Sequence, residues 1–445
     1  MVRKNSSSLL RHPVALAVCT VALGIIAWGT LTTARPDRSA TPSWCFLCAE
    51  VHGTDVLLNV LLFIPLGVGL RVAGASHRRV LGVSAVVTLA VELAQWFLVT
   101  GRIASVADMV ANLLGAATGI LLASHGRKLI LPEAPLARLL AAASITGWLV
   151  VQALTVWAFA PSLKGDAFWG QIAADLGHMH RFTGRVIAAR IGDTSVPDGR
   201  IKDVKPVRRL FAKGAAVEAL VVPGEPPAQV APIVSIFNGE QQEIMVLGQE
   251  GQDLVFRMRT HAASARLRIP TVSLWGAFPS LARPEDGPPR DTIRISGWRS
   301  GWRMYASATS RDTSTSRSIA LRPTFGWALI LPFEHTLTPR SWRFTAAWMA
   351  VLLFPAGYWG ARCLIPVPNT AVRQSALSVV FRVLTMLVIA AIMLVAGLIG
   401  LPWRLGLATA GVWEWGGAMA GIAFGTIVGL LSYLISHSRL RRSPE

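Results

Sequence analysis

The chain has little charge, and acidic charge is especially scarce. Only 15% of its 445 residues are Asp, Glu, Lys or Arg, and 24 acidic residues stand against 43 basic ones. With 52% hydrophobic residues, this composition excludes an ordinary soluble enzyme and predicts a polytopic membrane protein. No basic run with interleaved aromatic residues stands apart from the apolar stretches, so nucleic acid is not an expected partner.

Eight apolar stretches are long enough to cross a bilayer, which takes about 20 residues. They cover residues 13–33, 55–73, 80–99, 105–124, 137–160, 342–361, 378–401 and 408–435. Basic residues gather before the first stretch and after the second, fourth, sixth and eighth. The positive-inside rule therefore predicts that both termini are cytoplasmic. The first stretch has no clear cleavage site, which favours an uncleaved span.

Between the fifth and sixth stretches the apolar runs shorten to the length of β-strands. The runs IVSIF, EIMVLG and DLVFRMR are separated by the turn sequences Asn-Gly and Glu-Gly-Gln, which is typical of an antiparallel meander. Regular short strands over about 170 residues, including the run that begins at residue 318, predict an all-β sandwich. Its acidic residues around turns, such as Glu243, are expected to be solvated. Because it follows an odd number of spans from a cytoplasmic N-terminus, this domain is expected to be extracytoplasmic.

These patterns divide the chain into five parts. They are a first membrane span in residues 1–34, a three-helix core in 55–124, a fifth span in 137–160, the sandwich in 165–340 and three C-terminal spans in 341–445. The predicted fold class is a polytopic α-helical membrane protein of about eight spans with an extracytoplasmic all-β sandwich domain.

Polar residues recur at helical spacing within the three spans of the core. The pairs are Asp55 with Asn59, Glu92 with Gln95, and Asp108 with Asn112. Residues three or four apart share a helix face, and ionisable groups inside a bilayer usually face a bundle interior or a wet cavity. If the spans alternate, all three pairs lie at a similar depth in the outer leaflet, where a short loop adds Arg102. These seven residues form the candidate ligand-binding site.

The chemistry of these residues leaves several alternatives open. Carboxylates and carboxamides supply only oxygen ligands, which suit Mg²⁺ or Ca²⁺ better than zinc, although no cofactor is evident from the sequence. A lipid headgroup site would place Arg102 on a phosphate. Proton relay is a third use of the carboxylates. The structural alternative is a hydrogen-bond network between helices, with Asp55 and Asp108 as helix N-caps.

Four further residues in the core are predicted to have structural roles. Gly115 and Gly119 form a GxxxG pattern, which is typical of a helix-packing face rather than a ligand loop. Pro65 and Gly67 are predicted to kink the second span and free carbonyl groups.

The four cysteines include one closely spaced pair, Cys45 and Cys48, in the motif CFLC. A Cys-x-x-Cys motif is found in redox centres and zinc sites, but no second pair of ligands accompanies this one. Because the loop is expected outside the cell, where disulfides persist, we predict a local disulfide. Free thiols are the alternative.

The order and spacing of the core residues resemble the VanZ-like family of membrane proteins. The shared pattern consists of Asp55, Asn59, Pro65 and Gly67, then Glu92 and Gln95, then Gly101 and Arg102, and finally Asp108, Asn112, Gly115 and Gly119. The resemblance implies a location in the bacterial inner (cytoplasmic) membrane. It also implies a link to resistance against the glycopeptide teicoplanin, because the family is named for a protein associated with that resistance. Residues 165–340 are similar to sandwiches of the concanavalin/laminin-G type, which implies glycan binding.

Three functions follow as hypotheses. The first is action at the outer leaflet on an envelope lipid or its glycan headgroup, linked to glycopeptide resistance, with membrane lipids as partners. The alternative is a non-catalytic sensor or scaffold that binds a glycan or an envelope protein through the sandwich. A transporter is the third, but the inner halves of the core spans show no polar residues to match the outer ones. No nucleophile–base pair is evident, so catalytic residues are not assigned.

Overall fold

A computed structural model describes residues 13–31, 44–45, 52–99, 104–176, 179–278, 292–311, 313–331, 336–364 and 376–440. The chain forms two compact units. The first comprises Met1–Ile145, Phe354–Val383 and Ile422–Glu445, and the second comprises Thr146–Leu353 and Leu384–Gly421.

Eight of the helices in the described part of the chain are long and apolar enough to cross a membrane, as the sequence predicts. The helices are α1 (Pro13–Leu31), α2 (His52–Val72), α3 (His77–Leu98), α4 (Val106–Ile130), α5 (Ala134–Phe159), α6 (Val204–Ala212), α7 (His261–Ser264), α8 (Trp342–Leu364), α9 (Ala376–Val395), α10 (Leu401–Arg404) and α11 (Val412–Leu440). The seventh span is not one regular helix. A single π-helical turn, Ala396–Gly400, separates α9 from α10.

The described strands form one small sheet and two large ones. They are β1 (Trp44–Cys45), β2 (Ala104–Ser105), β3 (Phe168–Ile172), β4 (Arg185–Ile191), β5 (Thr194–Ser195), β6 (Gly199–Ile201), β7 (Val217–Val222), β8 (Ala231–Asn238), β9 (Glu243–Glu250), β10 (Asp253–Met258), β11 (Thr271–Leu274), β12 (Ile293–Ser300), β13 (Arg303–Thr309) and β14 (Ser314–Ala320). The large sheets have the orders β11-β10-β9-β8-β3-β6 and β14-β13-β12-β7-β4-β5, and their pairings are antiparallel.

The two six-stranded sheets enclose one apolar core, as expected of the predicted sandwich. Along β7 burial alternates, so that Val217, Ala219 and Val221 point into the core. Gly297 on β12 faces Phe256 on β10 so closely that a Cβ would overlap the phenyl ring. The β domain therefore has the period-two pattern of a packed sheet pair.

Three features of the β domain differ from the sequence expectations. Residues 204–212 form the helix α6, because Val204, Val207 and Phe211 recur at helical spacing and are buried. The apolar run that begins at residue 318 was expected to be a strand, but β14 ends at Ala320. A 3₁₀ helix, Pro323–Leu329, follows, since proline cannot donate to a strand ladder.

The third difference concerns Glu243, which was expected to be solvated near a turn. It is instead largely buried and paired with Arg257 through two hydrogen bonds, Nε to Oε1 at 2.7 Å and Nη2 to Oε2 at 2.5 Å. The cross-strand partner offsets the cost of burying the carboxylate.

Candidate functional site

Helices α2 and α4 pack with their backbones in contact, because glycines lie where they meet. A Cβ on Gly115 would overlap the carbonyl oxygen of Val60, and a Cβ on Gly119 would overlap that of Ile64. Gly67 is equally close to the carbonyl of Ala116 on α4. Only glycine permits this approach, so these three residues set the distance between the two helices.

These contacts also fix how the two helices are aligned along their axes. Gly115 lies level with residues 60–63 and Gly119 with residues 64–68. Both helices rise about 1.5 Å per residue. The same offset therefore places Asp108 level with Asp55, and Asn112 level with Asn59. The first turns of α2 and α4 lie at one end of the helix bundle, called below the Glu92 end.

Glu92 lies near the end of α3 and is 5% exposed. Its Oε2 accepts a hydrogen bond of 2.9 Å from the backbone N–H of Ser105. Ser105 is the N-cap of α4 and belongs to β2, which pairs in parallel with β1. Glu92 thus ties the end of α3 to the start of α4, where the helix dipole favours a negative charge.

Two carboxamides continue this polar region between the helices. The Nε2 of Gln95 donates to the backbone oxygen of Thr30 on α1 at 3.0 Å. The Nδ2 of Asn112 donates to the hydroxyl of Thr88 at 2.6 Å. Asn112 is 1% exposed, and its Oδ1 has no hydrogen-bond partner in the described part of the chain. An unmet acceptor in a helix bundle is costly, which indicates a place for a ligand group or a water molecule.

The sequence reasoning missed several polar residues that lie beside this region. The described structure buries Thr30, Thr54, Ser84, Thr88 and Ser105. The available signal was the four-residue spacing of Ser84, Thr88 and Glu92, which puts all three on one face of α3. Ser84 and Thr88 also correct the expectation that polar residues are confined to one end of the core spans.

The predicted site residues differ in how the structure places them. Asp55 and Asp108 lie in the first turns of α2 and α4, and Asn59 lies one turn further along α2. All three are partly buried. The N-cap of α4 is Ser105, which corrects the alternative that Asp108 caps this helix.

The remaining predicted residues can be placed only in part. Pro65 lies inside α2, which is assigned as one continuous helix. Arg102 and Cys48 lie outside the described residues, and Cys45 is described only as part of β1. The predicted disulfide therefore stays a prediction.

The carboxylates do not form a metal-binding group in the described structure. No set of three or more His, Cys, Asp and Glu residues among the described ones is close enough to hold a metal ion, and this includes Asp55, Glu92 and Asp108. The arrangement offers instead a carboxylate and two carboxamides at one end of a bundle, with one amide oxygen free to accept a hydrogen bond. Such groups recognise hydroxyl, amine and amide donors.

The helices and sheets together define a multi-pass membrane protein that carries a separate all-β domain. Within it, residues 17–130 match the family described as VanZ/LLP1, so the N-terminal region is a VanZ-like domain. The match covers about a quarter of the chain and contains the whole α2–α4 site. No curated protein and no solved structure matches this chain.

Proposed function

We propose that the VanZ-like domain acts on an envelope lipid or its glycan headgroup at the outer leaflet of the bacterial cytoplasmic membrane. The N- and C-termini would be cytoplasmic and the β domain extracytoplasmic. The site would consist of Asp55, Asn59, Glu92, Gln95, Arg102, Asp108 and Asn112.

The observation that carries this proposal is the unmet Oδ1 of the almost fully buried Asn112. A sugar hydroxyl or a headgroup amine would supply the missing donor. Glu92 and Gln95 lie one and two turns beyond Thr88, the residue that holds Asn112. They would extend the same polar region towards the Glu92 end.

A lipid would match this polar region and its apolar surroundings better than a soluble solute. The helices carry large exposed apolar side chains, including Phe97, Leu98 and Leu114, which acyl chains would cover. A ligand with a polar head and an apolar tail would match both surfaces at once. Arg102 would contact a phosphate, and Mg²⁺ or Ca²⁺ could accompany such a headgroup.

The proposal is tested by teicoplanin susceptibility in cells that carry the wild type, Glu92→Gln or Asn112→Leu at matched membrane levels. The control is Thr118→Val, because the Thr118 hydroxyl bonds to its own helix at Leu114 and faces outward. We expect the wild type and the control to protect, and both site variants to resemble cells without the protein. Equal susceptibility of all strains would remove the link to glycopeptide resistance.

A second readout tests lipid handling independently of the antibiotic. The full-length protein is extracted from membranes, and its bound lipids are identified by native mass spectrometry. We expect a lipid that is retained by the wild type and by Thr118→Val but lost from Asn112→Leu. Identical lipid spectra for all three proteins would contradict the proposed site.

A specific observation also favours the second candidate, a non-catalytic sensor or scaffold. Glu92, Gln95 and Asn112 each form a hydrogen bond to a neighbouring element, as expected of residues that hold helices together. In that case the β domain would bind the glycan or protein partner. Removal of residues 165–340 would then abolish activity, whereas Glu92→Gln would not.

A further inference from the structure

The positive charge of the β domain is concentrated in one short segment. Residues 165–340 contain 22 Lys and Arg and 16 Asp and Glu, a net charge of +6. Residues 202–213 contain five basic residues and a single acidic one, so they contribute +4. This segment consists of α6 and its two flanks, so most of the domain's excess charge lies on this short stretch of chain.

The helix α6 presents this charge to the outside. Its apolar side chains, Val204, Val207 and Phe211, are buried in the core of the sandwich. The opposite face carries Lys205 and Arg209, which are exposed. The flanking Lys202 and Lys213 are exposed too, and the half-buried Arg208 lies over the ring of Phe168 at 5.5 Å. In the described part of the chain none of the five basic residues forms an ion pair.

The first large sheet shows at which end of the sandwich α6 lies. Ile201, the last residue of β6, is opposite Phe168, the first residue of β3, and β3 begins nine residues after α5 ends. Just beyond the end of β10, the oxygen of Arg259 accepts a hydrogen bond from the N–H of Ser162 at 3.0 Å. Both contacts put α6 at the end of the sheet to which α5 leads.

The second large sheet gives the same result. A Cβ on Gly214, two residues after α6, would lie 3.0 Å from the carbonyl oxygen of Arg299 near the end of β12. At this end the N–H of Leu321 bonds to the oxygen of Trp302 at 2.7 Å. The next residue, Arg322, forms an ion pair with Glu414 in the first turn of α11. Both sheets therefore direct this end of the domain towards membrane helices of the same compact unit.

A buried cation adds to the positive potential there. Arg299 is 4% exposed, and its Nη1 and Nη2 have no hydrogen-bond partner among the described residues. Its Nε donates to the oxygen of Gly301 at 2.9 Å. Desolvation by burial lowers the pKa of Arg299 to about 10, so the guanidinium stays charged at neutral pH. An anion near this end would offset part of the cost of that buried charge.

We propose that the basic face of α6, formed by Lys202, Lys205, Arg208, Arg209 and Lys213, binds the phosphate headgroups of anionic phospholipids in the membrane that the protein spans. A lipid surface is the favoured partner because the helix lies at the end of the domain that continues into the membrane helices. Charge complementarity supplies the attraction, and the buried apolar face of α6 fixes the basic side chains in place. This surface is separate from the α2–α4 site, and either can exist without the other.

The test uses the full-length protein in nanodiscs of phosphatidylcholine alone or with increasing phosphatidylglycerol. Hydrogen exchange of a peptide covering residues 202–213 is measured by mass spectrometry. We expect slower exchange with phosphatidylglycerol, and loss of this protection in high salt. Each basic residue near an anionic surface contributes about a fivefold gain in affinity, so Lys205→Gln with Arg209→Gln should weaken binding about 30-fold.

The control is the double variant Arg185→Gln with Arg294→Gln, which removes two exposed charges. Both residues lie at the end of the second large sheet that is away from α6. It should behave like the wild type. Protection that is equal with and without phosphatidylglycerol would overturn the proposal. So would protection in phosphatidylcholine nanodiscs by inorganic phosphate alone, which would indicate a free-anion site. Protection by heparin but not by phosphatidylglycerol would overturn it in favour of an anionic glycan.

Discussion

Two helix pairs in this protein pack by the same device and differ in their polar groups. Between α2 and α4, the backbones are in contact at glycines 67, 115 and 119. Between α8 and α11, the backbones are in contact where glycines 417, 421 and 425 meet Ala346, Ala350 and Phe354. Two polar residues at one end of the second pair have partners. Thr345 accepts a hydrogen bond from Trp327, and Glu414 pairs with Arg322. Beside α2–α4, the acceptor of Asn112 and the hydroxyl of Ser84 have none among the described residues.

The comparison shows that close helix packing and unmet polar groups are separate features. Where α8 and α11 begin, they meet closely while Thr345 and Glu414 are satisfied, so close helix contact alone does not call for unmet groups. Towards the end of α8, Nε and Nη1 of the half-buried Arg362 have no hydrogen-bond partner among the described residues. Buried polar groups in native structures are almost always bonded, and exceptions often mark functional positions. The almost fully buried Asn112 and Ser84 beside α2–α4 have unmet groups that the packing does not explain, and they support the candidate site.

The largest expected effect comes from filling the glycine contacts. Gly115→Leu and Gly421→Leu would each push a side chain into the carbonyl oxygen of the facing helix. Overpacking usually costs about 1–3 kcal/mol, and direct overlap with a backbone should reach or exceed the upper end. We expect little folded protein from either variant, measured by yield and monodispersity after extraction.

The matched controls are Gly82→Ala on α3 and Gly360→Ala on α8, where a Cβ would meet nothing within 4 Å. These variants should be at least as stable as the wild type, because alanine favours helix over glycine by about 1 kcal/mol. Wild-type yield from Gly115→Leu would show that the helices can separate without harm, and the comparison of the two pairs would fail.

The next largest effect on stability is expected for the ion pair between Arg322 and Glu414 on α11. Glu414 is almost fully buried, and Arg322, whose Nη1 lies 2.5 Å from it, keeps 29% of its side-chain exposure. Glu414→Gln would leave a largely buried cation without its partner. Removing one member of a fully buried pair costs about 3–5 kcal/mol, and partial exposure of Arg322 reduces this to about 2 kcal/mol.

Thermal unfolding in nanodiscs measures this loss of stability and compares it with the loss at a surface ion pair of the β domain. The pair Arg190–Glu218 has side-chain exposures of 50% and 28%, so Glu218→Gln should cost less than about 1 kcal/mol. If the two substitutions lowered the melting temperature equally, the Arg322–Glu414 pair would be no more than a surface contact.

Much of this architecture could be predicted because the bilayer sets the length of its helices. The second span was expected to begin at residue 55 and begins at His52, whereas the fourth extends beyond 124 to Ile130. The sandwich was predictable from its turns. At Asn238–Gly239 the side-chain Oδ1 of Asn238 accepts hydrogen bonds from the N–H groups of Glu240 and Gln242, which is how asparagine stabilises a turn.

Other features depend on contacts that a single sequence does not show. The alignment of Asn112 with Asn59 follows from where glycines meet the facing backbone. Helix α6 was missed because it is short and contains Pro206 and several charges, which a window of apolar residues passes over. Ser84 and Thr88 were missed because hydroxyl groups in apolar helices usually bond to their own backbone, and only the structure shows that the Ser84 hydroxyl does not.

A smaller change in stability is expected at the centre of the candidate site. Asn112→Leu replaces a carboxamide that has an unmet acceptor by an apolar group of similar size. The Thr88 hydroxyl can then bond to its own helix, so the stability should change by less than about 1 kcal/mol. Lipid retention and any protection against teicoplanin should nevertheless be lost. A melting temperature that falls as far as that of Glu414→Gln would mean that Asn112 is structural, and the site would lose its main support.

The smallest effect is expected at Ser84, and it decides how far the site extends. Ser84 lies two turns along α3 from Glu92, about 12 Å from it along the helix axis, and its side chain is fully buried. Ser84→Ala removes a hydroxyl that has no partner among the described residues, so stability should stay within about 0.5 kcal/mol of the wild type or rise slightly. If the site is confined to the Glu92 end, this variant retains the bound lipid, whereas Thr88→Val loses it because Asn112 is no longer held in place. Loss of the bound lipid from Ser84→Ala at unchanged stability would instead show that the polar face of α3 contributes to binding along its whole length. The transporter hypothesis, which needs polar groups beyond one end of the bundle, would then replace the headgroup site.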